Sequence, residues 1–201
     1  MNASPWIILV AMLLYGVVHS ILAALSFKAR LRQWLGAHTD RWYRLFYNVF
    51  ATLSLLPVLA LPALLPDRTL YRIPAPWSYL AMAGQVAAAL MLIVALLQTD
   101  VLAFIGLRQL LEGPKPGGKG KLVVKGFYRW VRHPLYTAGL IFIWLTPTMT
   151  ANLLALYAGV TIYIVIGALF EERKLLHEFG EEYKSYRQRT PMLIPLRLIR
   201  R

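Results

Sequence analysis

Apolar residues run through this chain in long unbroken stretches, not in the short periodic bursts of soluble helices or strands. Pro5 to Phe27 holds no Asp, Glu, Lys or Arg over 23 residues. As a helix it reaches roughly 34 Å at 1.5 Å per residue, enough for a hydrocarbon core of about 30 Å. Leu45 to Leu65, Trp77 to Leu97 and Leu153 to Phe170 are also of spanning length, while Leu135 to Thr148 is shorter and carries Gly139 and Pro147. Pro57 and Pro62 interrupt the second stretch, which membrane helices tolerate where neighbours satisfy the freed carbonyls. Pro147 and Asn152 punctuate the join between the last two stretches and predict a tight helical hairpin. Val101 to Leu111 alternates poorly for a strand and predicts an interfacial helix. A cleaved signal peptide needs a basic start, and Met1-Asn2-Ala3-Ser4 has no charge. The pattern predicts an all-α, polytopic integral membrane protein with about five transmembrane helices and a cytoplasmic C-terminal helix. One domain covers 1–201: three spans and the interfacial helix in 1–112, a basic linker in 113–125, and a hairpin with its tail in 126–195.

Composition agrees with the pattern. Hydrophobic residues make up 58% of the 201 and charged ones only 15%, where a soluble domain holds about a quarter. Lys and Arg number 22 against 9 Asp and Glu, a formal charge of +13. These basic residues lie in the gaps between apolar runs, which fits loops held against anionic headgroups and not nucleic acid. Twenty of the 22 fall after span one, between Arg108 and Arg132, or after Arg173; only Arg68 and Arg72 lie elsewhere. Five spans bring the three rich segments to one face, assigned to the cytoplasm, with the N-terminus outside and the C-terminus inside. Trp6, Trp77 and Tyr79 suit outer interfacial anchors, and Trp34, Trp42 and Tyr43 inner ones. The bilayer is thus one partner, and no obligate protein partner is evident. The absence of Cys excludes disulfides, thiolate metal sites and a catalytic Cys.

Several chemical signals fail on inspection. Gly113 to Gly120 nearly spells a phosphate-binding loop, but Gly120 stands where a magnesium-binding hydroxyl is needed and no buried strand precedes it. It reads as a flexible basic linker. His19, His38, His133 and His177 show neither the i,i+4 His pair nor the Glu-x-x-His pairs of helical metal sites, so no metal is expected. No Gly-x-Ser-x-Gly turn supplies a nucleophile.

Polar residues at the ends of spans are costly and therefore candidates. Tyr15 and His19 lie one turn apart on span one, where an interhelical hydrogen bond is the plainer explanation. Tyr43, Arg44, Tyr47 and Asn48 open span two, Gln98, Thr99 and Asp100 close span three, and Arg108 and Gln109 follow. All are expected at the cytoplasmic boundary. The densest signal is Arg132-His133-Pro134-Leu-Tyr136 before span four, Glu171-Glu172 after span five, then Phe179-Gly180-x-x-Tyr183-x-x-Tyr186 and Pro191-Met-Leu-Ile-Pro195. Pro134 suits the first turn of a helix. Phe179, Tyr183 and Tyr186 form one stripe at helical spacing unless Gly180 breaks it, and packing against the bilayer would also explain them.

These motifs resemble the isoprenylcysteine carboxyl methyltransferases and the related phospholipid methyltransferases and membrane sterol reductases. Thr146-Pro147-Thr148-Met149-Thr150 with Pro191–Pro195 resembles most the bacterial branch containing methanethiol S-methyltransferases, which implies a bacterial inner membrane. The family usually carries Gly two residues after the motif tyrosine, where this chain has Ala138 followed by Gly139. The resemblance implies S-adenosylmethionine bound on the cytoplasmic side. The cofactor contacts it implies are His133, Tyr136, Glu171 and Glu172, with Tyr128, Arg132, Pro134, Tyr183 and Tyr186 around them. A sulfonium with an ammonium and an adenosine needs carboxylates, aromatic faces and backbone donors, and all are present. Successive helical positions sit about 100° apart, so one of Glu171 and Glu172 is expected to face the cofactor and the other a neighbour such as Arg132; Glu171 is favoured as the inward one. The acceptor is a small or lipophilic molecule. A thiol such as methanethiol, the favoured one, needs a base, for which His19, Asp100 or a tyrosine such as Tyr47 would serve. A carboxylate on an isoprenoid or lipid-like acceptor needs only cations, for which Arg44 or Arg108 would serve. An NADPH-dependent reductase and a non-catalytic transport or assembly protein are the competing functions.

Overall fold

The computed structural model describes residues 3–113 and 121–195, so Gly113 keeps its place while the remainder of the basic linker's glycine-rich run lies outside the described residues. Among the described residues, four helices are long and apolar enough to cross a membrane: α1 (Ser4–Ala23), α3 (Thr39–Leu64), α4 (Trp77–Leu97) and α8 (Ala151–Phe179). Their outward surfaces carry large apolar side chains, among them Leu13, Leu64, Leu80 and Ile162. Such exposure is unfavourable in water and favourable in lipid. The protein is an integral membrane protein, mostly helical.

The chain forms two compact units. The first holds residues 3–69, 100–113 and 150–160. In it α1 packs on α3, with Ile8 and Met12 buried. The extended backbone of Ala24 ends α1, and a separate basic helix, α2 (Leu25–Leu35), takes the remainder of the predicted first span. Lys28 and Arg32 each reach Asp40 at 3.0 Å. The predicted interfacial helix is broken into α5 (Val101–Ile105) and α6 (Leu107–Glu112). Gly106 between them has φ +97°, and a Cβ there would stand 2.5 Å from the Leu45 backbone nitrogen. Only glycine allows α3 to approach this closely, a tertiary requirement that apolar periodicity does not register. Asn152 closes the unit through its N–H to Asp67 Oδ1 at 3.1 Å and its amide to Pro66 O at 3.2 Å. Burial raises the Asp67 pKa, but hydrogen bonds from Thr150 and three backbone N–H groups outweigh it and hold the carboxyl below its ordinary value.

The second unit holds residues 70–99, 121–149 and 161–195. A 3₁₀ turn (Gly126–Arg129) and α7 (Pro134–Trp144) run antiparallel along α4. Gln98 at the end of α4 accepts from Phe127 N–H at 3.1 Å, and Gln85 near its middle donates to Phe142 O at 2.9 Å. The fourth predicted span is therefore only partly helical. At 11 residues α7 covers roughly 16 Å, and irregular backbone accompanies the rest of α4. Two strands that the apolar pattern did not predict, β1 (Thr69–Arg72) and β2 (Thr148–Thr150), form a small sheet. Helix α8 extends nine residues beyond the predicted span, to Phe179. Gly180, with φ +57°, then breaks the aromatic stripe and begins α9 (Glu181–Arg189).

Candidate active site

Adjacent carboxylates on α8 have different surroundings in the second unit. Glu172 is buried and accepts from Arg132 Nε at 2.7 Å and Nη2 at 2.9 Å, His133 Nε2 at 3.0 Å and Tyr183 OH at 2.7 Å. Arg187 Nε lies 3.4 Å away. A carboxylate has about four acceptor sites, and those of Glu172 are filled from within the chain. Glu171, with its side chain 45% exposed, accepts from Tyr136 OH at 2.9 Å and faces His133 Nδ1 at 3.5 Å. The His133 and Tyr136 rings stack at 5.4 Å, tilted by 14°. Each imidazole nitrogen thus faces one carboxylate, which fixes the ring on both sides.

Local backbone delivers these groups. His133 precedes α7 with non-helical angles, and Pro134 supplies the preset first turn. The Pro191–Pro195 tail lies beside this corner. Arg132 N–H donates to Pro191 O at 2.9 Å, His133 N–H to Met192 O at 3.2 Å, and Thr137 Oγ1 to Leu193 O at 2.8 Å. Arg132 also donates to the carbonyls of Arg187 and Thr190. Thr137, one turn after His133, has a positioning role that the motif reading missed. Buried Tyr183 and Tyr186 place α9 against the corner, with the Tyr186 hydroxyl donating to the Tyr128 carbonyl. Burial pushes the Tyr183 and Tyr186 phenols up, so both stay neutral donors. Ala138 is fully buried, while a Cβ at Gly139 would meet nothing within 4 Å. All nine residues singled out for the cofactor therefore belong to this unit.

The candidates for acceptor chemistry belong to the first unit and form two pairs. Tyr47 OH lies 2.6 Å from His19 Nε2, with the Tyr15 and His19 rings 5.5 Å apart. Asp100 binds Arg108 Nη1 at 2.7 Å and caps α5 by accepting from Ala103 N–H at 3.0 Å. Arg44 Nε donates to Phe104 O at 3.3 Å, and Asn48 to Phe104 O and Ile105 O at 3.0 and 2.9 Å.

A family model described as a protein of unknown function (DUF1295) matches residues 10–190. Methanethiol S-methyltransferase 1 of Bradyrhizobium diazoefficiens is 32% identical over 196 residues, 94% of this chain and 66% of that protein. The methanethiol S-methyltransferase of Mycobacterium tuberculosis is 32% identical over 198 residues, 93% of this chain and 76% of that protein. Human protein-S-isoprenylcysteine O-methyltransferase is 34% identical over 80 residues, 37% of this chain and 27% of that protein. The chain spans about two thirds of the length of the Bradyrhizobium protein. No solved structure matches significantly.

Proposed function

The chain belongs to the DUF1295 family and is related to methyltransferases over nearly its whole length, and on that premise we propose that it transfers a methyl group from S-adenosylmethionine to a small thiol. The observation that carries the cofactor assignment is the unequal carboxylate pair. Glu172 is committed to Arg132, His133 and Tyr183, whereas Glu171 presents a half-exposed carboxylate beside stacked His133 and Tyr136 rings. An open carboxylate suits an ammonium, and aromatic faces suit a sulfonium or a purine. The donor set therefore fits the cofactor, which supplies a methyl group activated by positive sulfur. Glu171, Tyr136 and His133 bind it directly. Arg132, Glu172 and Tyr183 hold His133 in place, Pro134 sets the corner, and Tyr128 and Tyr186 close the aromatic wall. Methyl transfer to a thiolate cancels charge, so exclusion of water by apolar surroundings assists it.

The thiol is favoured over a carboxylate acceptor because the relatives named methanethiol S-methyltransferases match over nearly the whole chain, whereas the isoprenylcysteine O-methyltransferase match covers 37% of it. Supplying the purified protein with methyl-labelled S-adenosylmethionine and either methanethiol or a prenylcysteine tests this choice. Label should enter the headspace as a base-stable thioether. Base-labile label released as methanol would identify an ester and remove the thiol from the reaction.

The whole chain, 1–201, acts in this proposal as one domain in a bacterial inner membrane, with no obligate protein partner. It crosses five times, the N-terminus outside and the C-terminus in the cytoplasm. The segment 126–147 makes one crossing beside α4 and forms a hairpin with the end of α8; the Trp144–Thr161 and Tyr136–Glu171 hydrogen bonds are those of antiparallel neighbours. Reporter fusions after Arg32, Asp67, Lys119, Asn152 and Arg201 should read in, out, in, out, in. A cytoplasmic signal at Asp67 or Asn152 would overturn this topology.

A further inference from the structure

We propose that the cavity between α2 and the start of α3 binds an anionic phospholipid, with its phosphate held by Lys28 and Arg32. The cavity has a volume of about 530 Å³ and is lined by Leu25, Lys28, Ala29, Arg32, Gln33 and Asp40. That volume lies in the range of small-ligand sites. All six residues belong to the first unit. None of them has a part in the methyl-transfer proposal, so the two readings stand or fall separately.

Helix α2 differs from the four long helices. None of its residues is buried. Leu25, Trp34 and Leu35 stand exposed on the same helix as the basic Lys28, Arg30 and Arg32. A helix with this mixture suits the boundary of a bilayer, where apolar side chains reach the acyl region and basic ones the phosphates. The extended backbone of Ala24 joins it directly to α1, whose last turn exposes Ile21. The chemistry along this edge is therefore graded. It is apolar at Ile21 and Leu25, cationic at Lys28 and Arg32, and carries an amide at Gln33. A phospholipid has the same order: acyl chain, phosphate, polar headgroup.

Charge selects the class of lipid. Lys28 Nζ and Arg32 Nε each lie 3.0 Å from a different oxygen of Asp40. The acid is the more sheltered partner, with its side chain 16% exposed against 38% for Lys28 and 60% for Arg32. A ligand entering from outside meets the two cations first. Arg32 contacts Asp40 through Nε, and the N–H donors on its two Nη atoms suit phosphate oxygens. Two cations against one carboxylate leave the lining net positive, which matches the single negative charge of a phosphodiester. A zwitterionic lipid brings a cation of its own, which this lining disfavours.

The test titrates the full chain in a neutral detergent with phosphatidylglycerol or phosphatidylcholine and counts bound lipid by native mass spectrometry. Phosphatidylglycerol should bind about 10-fold or more tightly than phosphatidylcholine. Lys28→Gln and Arg32→Gln should each weaken it about 5-fold, and the double variant about 25-fold. Asp40→Asn should act in the opposite sense, tightening phosphatidylglycerol about 5-fold by releasing both cations. If the double variant does not insert, Asp40→Asn decides alone. Equal affinity for the two lipids would overturn the proposal. So would an Asp40→Asn variant no tighter than the parent, or a folded double variant that loses nothing. Excess inorganic phosphate at matched ionic strength should leave the lipid bound; displacement by it would make this a site for a soluble anion and remove the lipid.

Discussion

Glu172→Gln is expected to loosen the second unit and lower its thermal midpoint, while leaving the long helices inserted. The carboxylate is buried and accepts from three side chains, two of its bonds coming from one arginine. Arg132 is also buried, at 8% side-chain exposure. Removing one partner of a buried pair costs roughly 3–5 kcal/mol, because the other charge is left uncompensated. The lower end applies here, since Arg132 keeps the carbonyls of Arg187 and Thr190. For a chain of this length about 3 kcal/mol corresponds to roughly 6–12 °C. A thermal scan in detergent with limited proteolysis would show the lowered midpoint and earlier cleavage near Gly180. Arg132→Gln combined with Glu172→Gln should recover part of the loss, because no orphan charge remains. A midpoint unchanged in Glu172→Gln would show that the network adds nothing to stability.

Glu171→Gln is expected to do the reverse: near-parental stability with weakened cofactor binding. Its carboxylate is half-exposed, accepts from Tyr136 OH at 2.9 Å and faces His133 Nδ1 at 3.5 Å, so an amide fits without leaving a buried charge unpaired. A charge-assisted contact to the cofactor ammonium is worth roughly 1.5–3 kcal/mol. At 1.4 kcal/mol per decade this is about a 10- to 150-fold loss of S-adenosylmethionine affinity. Calorimetric titration of the variant beside the parent measures it. Parental affinity would remove Glu171 from the cofactor site and leave the pair as a helix-end marker.

The contrast between these two neighbours also shows where sequence reading reached its limit. The motif residues around His133 and the Glu-Glu pair were visible as a constellation, and the 100° between successive helical positions required that the two carboxylates differ. Their partners needed the fold. Tyr183 was visible only as part of an aromatic stripe, and its hydroxyl reaches Glu172 because Gly180 turns α9 back. Thr137 and Thr190 left no signal at all, since their role is to hold or offer a backbone hydrogen bond to a segment far away in the chain.

The sequence by itself determined the membrane class, the places of the long helices and the motif corner. Transfer of an apolar helix into lipid is a sum over adjacent residues, and such a sum is local. It placed α4 to the residue, from Trp77 to Leu97. Tertiary structure decided what no local sum contains: that α7 is short because other backbone accompanies α4, that Gly106 breaks the interfacial helix where α3 presses close, and that His19 meets Tyr47 across 28 residues of chain. It also decided which of two chemically identical carboxylates is buried. Helical periodicity fixes the angle between them, but the rotation of α8 against its neighbours is set by packing, and that rotation gives Arg132 to Glu172 and leaves Glu171 open.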